Sequence, residues 1–141
     1  MMSPKKTKHR TQMKQVSHLK GRETRGCEIE FGDMALQAEE SGWWTDRQIE
    51  ASRVAIARSV KRGGKLFIRP FPDKPLTKKP AEVRMGSGKG ATELWVAEIR
   101  KGRILFEIAG VEESLARKAL TLAASKIPFR CRVIRRSEGL I

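Results

Sequence analysis

Along this chain of 141 residues, stretches in which every second position is apolar alternate with stretches in which apolar residues recur every three or four positions. The first pattern suits a half-buried strand and the second one face of a helix. Cys27, Ile29 and Phe31 alternate with Glu28 and Glu30, which predicts a strand, and Gly32-Asp33 then supplies a turn before 34–38, so a first hairpin is expected. Thr45 followed three positions later by Gln48 forms a capping box for a helix running through Arg62, with Ile49, Ile56 and Val60 on its apolar face and Arg47, Arg58, Lys61 and Arg62 on the other. Those cations either decorate a solvated face or touch a partner. Gly63-Gly64 ends that helix, and 65–69 reads as a strand. Trp95, Ala97 and Ile99 alternate along one strand and Ile104, Phe106 and Ile108 along another, with Lys101-Gly102 as a two-residue turn between them, which predicts a hairpin. A second helix begins near Val111, with Glu112 and Glu113 in its first turn, where negative charge suits the dipole, and Leu115, Ala119, Leu122 and Ala123 as its apolar stripe. Pro128 stops it. The last strand alternates Phe129, Cys131 and Val133 with Arg130 and Arg132, and Arg135 and Arg136 follow, so one edge or face of the sheet is basic.

The periodicity fails in two places. Pro70, Pro72, Pro75 and Pro80 remove ladder donors, so their segment is expected to be stiff and irregular rather than a central strand. Within 58–90 ten cations stand against two acids, and that span contains Arg84, Met85, Gly86, Ser87, Gly88, Lys89 and Gly90. Three glycines in such a loop remove side-chain bulk and let backbone N–H groups and cations approach phosphate closely. The other aperiodic stretch is 1–25, where Lys5, Lys6, Lys8, Arg10, Lys14, Lys20, Arg22 and Arg25 meet a single acid, Glu23. With almost no large apolar residue it cannot fold on its own account, and it is either a solvated tail or an extension that orders on RNA.

Charge sharpens these expectations. A formal charge of +14 is self-repulsive unless a polyanion offsets it. No run is long and apolar enough to span a membrane and no basic amphipathic helix has a broad apolar face, so nucleic acid is the expected partner and a membrane is not. A chain of this length fits one domain that buries roughly 68–70% of its unfolded surface. The glycine loop is not a nucleotide-binding loop. A Walker motif needs Gly where Val83 stands and Ser or Thr where Gly90 stands, and no helix start follows to hold a pyrophosphate. Cys27 and Cys131 are far apart and form no CxxC pair, so neither zinc nor a disulfide framework is expected and the compartment reads as reducing, with Cys131 in the core. His9 and His18 lack Cys or acid neighbours at ligand spacing. There is no Tyr, and no paired carboxylate or nucleophile-base arrangement is visible, so no catalysis, metal, cofactor or small-molecule substrate is expected. The Trp43-Trp44 pair either stacks on bases or serves as a core staple with one exposed partner. The basic polar N-terminus has no apolar centre, so no secretory signal is expected.

The stretch 61–90, KRGGKLFIRPFPDKPLTKKPAEVRMGSGKG, followed by Trp95-Val96, resembles the universal ribosomal protein sixteen family of the large subunit. The likeness covers nearly the whole chain, from the Pro-Lys-Lys-Thr-Lys opening through Gln48-Ile49-Glu50-Ala51 and 102–107 to the Leu-Ala-Ala-Ser-Lys-Ile-Pro helix end. It departs from the pattern at Phe67, where Trp is usual, and at Pro70, where a branched aliphatic is usual. The resemblance implies a single α+β domain of hammerhead type, two helices against a mixed sheet, over 26–141, with the basic N-terminal arm 1–25 extended from it. It implies no enzyme but a structural component that binds large-subunit rRNA beside the peptidyl transferase region, helps position aminoacyl-site and possibly peptidyl-site tRNA, and neighbours other ribosomal proteins. On this reading the rRNA-binding cations are Lys5, Lys6, Lys8, Arg10, Lys14, Arg22, Arg25, Arg58, Lys61, Arg62, Lys65, Arg69, Lys74, Lys78, Lys79, Arg130 and Arg132, and the tRNA-proximal loop is 84–90. Bacterial-type members are the more similar, which implies a cytoplasmic ribosome or an organellar one. The alternative is a transient RNA chaperone or assembly factor using the same basic surfaces; a DNA-compacting protein would need a groove-reading helix or dimer symmetry.

Overall fold

A computed structural model describes residues 2–61 and 63–136. The strands divide between two antiparallel sheets. The first holds β1 (Met34–Ala38), β3 (Lys65–Ile68), β6 (Ile104–Ala109) and β7 (Cys131–Arg135) in the order β3-β6-β1-β7. The second holds β2 (Gly42–Thr45), β4 (Lys74–Lys78) and β5 (Ala91–Ile99) in the order β2-β5-β4. Helices α1 (Asp46–Ser59) and α2 (Glu113–Ala124) complete the α+β domain. Instead of one mixed sheet, every pairing between named strands is antiparallel. The reason lies in the connections: α1 carries the chain from one sheet to the other, and the strands joined through α2, β6 and β7, run the same way but have β1 inserted between them.

The expected hairpin of 95–99 with 104–108 does not form. β5 pairs with β2 and β6 with β1, so 100–103 is a corner between sheets, with Gly102 at φ 98°. Segments 34–45 and 96–108 form one bent ribbon, in which Gln37 faces Ile104 on one side of the corner and Gly42 faces Ile99 on the other with the same offset. Ala38 donates to the Arg103 carbonyl at 2.9 Å and accepts from Gly102 N–H at 2.8 Å, carrying the ladder through the bend. Trp44 from β2 meets Phe106 from β6 edge to face, centroids 5.2 Å apart, and both are fully buried, so this contact joins the two sheets.

The capping box is present as the pattern predicts: Thr45 Oγ1 accepts from Gln48 N–H and Gln48 Oε1 accepts from Thr45 N–H. α1 buries Ile49, Ser52 and Ile56 and stops at Ser59, short of the expected end, where Val60 serves as C-cap. On α2 the buried residues are Ala116, Ala119, Leu120 and Ala123, while Leu115 and Leu122 are exposed. Small alanines let α2 lie close to its neighbours, and that packing chose a stripe rotated from the one the larger leucines suggested. Lys74–Lys78 is a strand despite Pro75. It occupies the edge of its sheet, where a missing donor costs no ladder bond on the outer side.

The alternating segment 27–31 is not a strand. Its amides have another acceptor: Glu107, fully buried on β6, takes the N–H groups of Glu30, Phe31 and Gly32 at 3.2, 2.6 and 2.8 Å. The segment thereby covers the outer face of β6, which explains why 104–108 is buried throughout. Gly32 sits where a Cβ would lie 2.7 and 2.9 Å from the Ile108 backbone oxygen and nitrogen. Gly32→Ala is therefore expected to cost about 1–3 kcal/mol through forced displacement of this cover. Urea unfolding at constant m-value measures it, and an unchanged midpoint would show that the contact yields freely.

Candidate nucleic-acid interface

The β4–β5 connection is the candidate RNA-facing loop. Residues 81–89 are all exposed, Met85 at 96%. Gly86 and Gly88 have φ of 98° and 99° with Ser87 between them at 60°, so the turn depends on the left-handed region that glycine enters without strain. Gly90 closes the base, where a Cβ would lie 2.8 Å from the Lys78 carbonyl. Two of the lysines brace the loop: Lys79 Nζ donates to the Gly86 carbonyl, and Lys89 Nζ donates to the Gln12 carbonyl at 2.7 Å. Arg84 and the backbone of 86–88 are left facing solvent, an arrangement suited to phosphate.

Segment 10–23 lies along β5, and side chains from the domain hold its carbonyls. Thr92 Oγ1 donates to Arg10 at 3.0 Å, Lys74 Nζ to Lys14 at 2.6 Å and Arg100 Nε to His18 at 2.6 Å. A short 3-10 turn, Val16–Leu19, interrupts it, and an isolated bridge joins Arg22 to Lys101. Its cations Lys5, Lys6, Lys8, Arg10, Lys14, Arg22 and Arg25 are all exposed.

The remaining expected cations separate into two populations. Arg58, Lys61, Lys65, Lys78, Arg130 and Arg132 are exposed, Lys79 is half-buried, and Arg62 lies outside the described residues. Arg69 and Lys74 are turned inward and leave the surface set. Lys74 is 5% exposed and binds Glu98 at 2.5 Å, with its ammonium 5.7 Å from the Trp43 ring centre. Arg69 binds Glu107 at 2.5 Å and lies 5.1 Å from the Phe31 ring, which stacks on Phe67 at 5.4 Å. Of the adjacent pair, Trp44 is the core residue and Trp43 is half-buried. Sequence reasoning passed over Arg100 and Lys101 at the corner, and Glu98 and Glu107 as the partners that draw cations inside; a lone acid on a strand carries no signal of what will face it.

Residues 4–134 match the family model described as ribosomal protein L16p/L10e. The chain belongs to the ribosomal protein L16p/L10e family. As a member it is an rRNA-binding structural constituent of the large ribosomal subunit in translation, not an enzyme, with ribosomal RNA and other ribosomal proteins as partners. The L16p/L10e chain has no helix, among the described residues, long and apolar enough to cross a membrane, and no group of three His, Cys, Asp or Glu positioned for a metal. Burial pushes the Cys131 thiol up to about 12, with Glu39 and Glu40 adding to it, and burial with Glu23 raises that of Cys27, so both stay protonated at neutral pH and behave as packing groups.

Glu107 is the fully buried carboxylate among the described residues of this family member. Burial by itself pushes its carboxyl up, but the N–H groups of Phe31 and Glu30, the Arg69 guanidinium and the Gly32 N–H together hold it below its ordinary value of 4.5. The stability it contributes is therefore complete above pH 4.5 and is lost as pH falls through its lower folded value. Glu107→Gln, which removes the buried partner of Arg69 and leaves it only the exposed Glu30 at 3.7 Å, is expected to cost about 3 kcal/mol at pH 7. The variant should also show a flatter fall in stability below pH 4.5. Denaturant titrations at pH 7 and across the acid range check both, and parallel pH profiles would remove Glu107 as the acid-sensitive group.

Proposed function

We propose that this large-subunit protein fastens folded rRNA near the peptidyl transferase region and presents loop 84–90 to the acceptor side of aminoacyl-site tRNA. The observation that carries the reading is the loop itself: exposed from 81 to 89, shaped by left-handed glycines, and braced at its base by Lys79 and Lys89 so that Arg84 projects. Exposed cations of the arm 1–25 and of the domain 26–141 displace counterions from closely packed RNA helices and hold them in register. Arg58 in the last turn of α1, Lys61 and Lys65 beyond it, Arg130 just before β7 and Arg132 within it are further exposed cations. The ribosome it serves is of bacterial type.

Affinity of the purified chain for large-subunit rRNA fragments should fall steeply with salt, with a log-log slope of several units at roughly −0.7 to −0.9 per phosphate neutralised. A slope near zero would exclude the electrostatic mechanism. Replacing Arg84 by Ala should slow tRNA accommodation on assembled ribosomes more than it reduces incorporation into the subunit. Lys89→Ala should do the same and also loosen segment 10–14, since its ammonium holds the Gln12 carbonyl. Single-turnover accommodation measured beside subunit stoichiometry reads these effects, and normal elongation by both variants would remove the loop from tRNA handling.

A further inference from the structure

At the corner between the sheets the surface folds into an open groove of about 400 Å³, at the far end of β5 from the glycine loop. Arg132 reaches it from the edge strand in a set orientation. The Gly102 carbonyl accepts from Gln37 Nε2 at 2.9 Å, and Gln37 Oε1 accepts from Arg132 Nε at 3.0 Å. Gln37 stands on β1, an interior strand, and Gly102 is buried, so the relay rests on a rigid platform. It uses only Nε and leaves the two terminal amino groups of the guanidinium as a fork. Arg22 and Lys101 line the same groove and are locked side by side by their backbone bridge and by Glu23 N–H donating to Lys101 at 2.9 Å. Among the described residues no carboxylate lies within salt-bridge distance of Arg132, Arg22 or Lys101.

A guanidinium oriented by a neutral amide and left without a carboxylate is suited to bidentate capture of phosphate. We infer that this groove is a second phosphate site, separate from loop 84–90, and that it takes the sugar-phosphate backbone of a folded RNA strand; this rests on reading the chain as an RNA binder. Glu39 and Glu40 also line the groove, and Glu40 draws Arg130 to 3.9 Å, partly neutralising it. Arg132, Arg22 and Lys101 are therefore the cations left to hold the strand. An acidic peptide is the poorer occupant, because the lining offers only Ala38 as an apolar contact and peptide interfaces depend on buried apolar anchors. β5 spans nine residues, which at about 3.3 Å each separates the two sites by roughly 30 Å. That is several times the Debye length of about 8 Å at physiological salt, so the sites act independently and hold two RNA segments at a spacing set by the sheet.

The test compares the full chain with Arg22→Ala/Arg132→Ala, Gln37→Leu and Arg58→Ala/Lys61→Ala for binding to large-subunit rRNA fragments over a salt series, with thermal unfolding run on each. The groove double variant should bind about three- to tenfold more weakly at 0.15 M salt, with a log-log slope shallower by about one to two units, and its loss should add to that of Arg58→Ala/Lys61→Ala. Gln37→Leu keeps the charge but frees the guanidinium, so it should weaken binding about twofold with the slope unchanged, a split that a general loss of folding does not produce. Hydroxyl-radical footprints should lose one protected RNA segment in the groove double variant and a different one in Arg58→Ala/Lys61→Ala. Unchanged affinity and slope in the groove double variant, with Arg58→Ala/Lys61→Ala still impaired, would overturn the groove alone. Absence of RNA binding by the parent chain would overturn the RNA-binding reading itself. Poly-glutamate bound by the parent as tightly as RNA, and lost in the groove double variant, would assign the groove to an acidic protein instead.

Discussion

The antiparallel ladder of 34–45 against 96–108 passes through both sheets, its register shifting by one residue between Leu36 and Gln37, and the rest of the molecule is arranged around its bend. Because the same pairing offset holds from Gln37–Ile104 to Gly42–Ile99, the two chains turn the corner together. A buried corner would otherwise leave its backbone groups unpaired, and the Ala38 bonds to Arg103 and Gly102 prevent that. Trp44 and Phe106 then fill the angle between the sheets from opposite sides of the bend. Beyond one end of the ladder lies the glycine loop, at the bend lies the Arg132 groove, and on the outer face of β6 lies Glu107.

That geometry also sorts the charges. The excess of 30 basic over 16 acidic residues is not spread evenly in role. Lys74 with Glu98 and Arg69 with Glu107 are internal pairs whose hydrogen bonds reach main-chain groups of 14, 28 and 30–32, so they fix irregular segments to the sheets. Most cations of the arm, the loop and the β7 edge face solvent, where their mutual repulsion is relieved by a polyanion, even where one nitrogen bonds a neighbour as in Arg132. A ribosomal protein built this way pins its irregular segments with a few buried ion pairs and adheres through many exposed cations. The two sets overlap at Lys89, which is exposed yet holds the Gln12 carbonyl, linking the loop to the arm.

The sequence by itself determined what depends on near neighbours. The Thr45–Gln48 capping box, the strand expected over 65–69 and found at 65–68, and the basic β7 strand are each set by residues a few positions apart, as are the left-handed conformations of Gly86 and Gly88 that the bare glycine spacing did not announce. Alternation also marked 95–99 and 104–108 as strands, because period two reports burial of a face; it does not report which strand lies alongside, and so the pair was assigned to each other when each belongs to a different sheet. The segment 27–31 carries the same alternation, yet a single carboxylate about 76 positions away takes its amides. Which cations are free for RNA was likewise decided by contacts remote in sequence: Lys74 and Arg69 look like their neighbours in composition, and only the fold brings Glu98 and Glu107 to them. The physical reason is one of range, since caps, turns and glycine conformations are local energies, whereas strand partners and ion pairs depend on where distant parts of the chain meet.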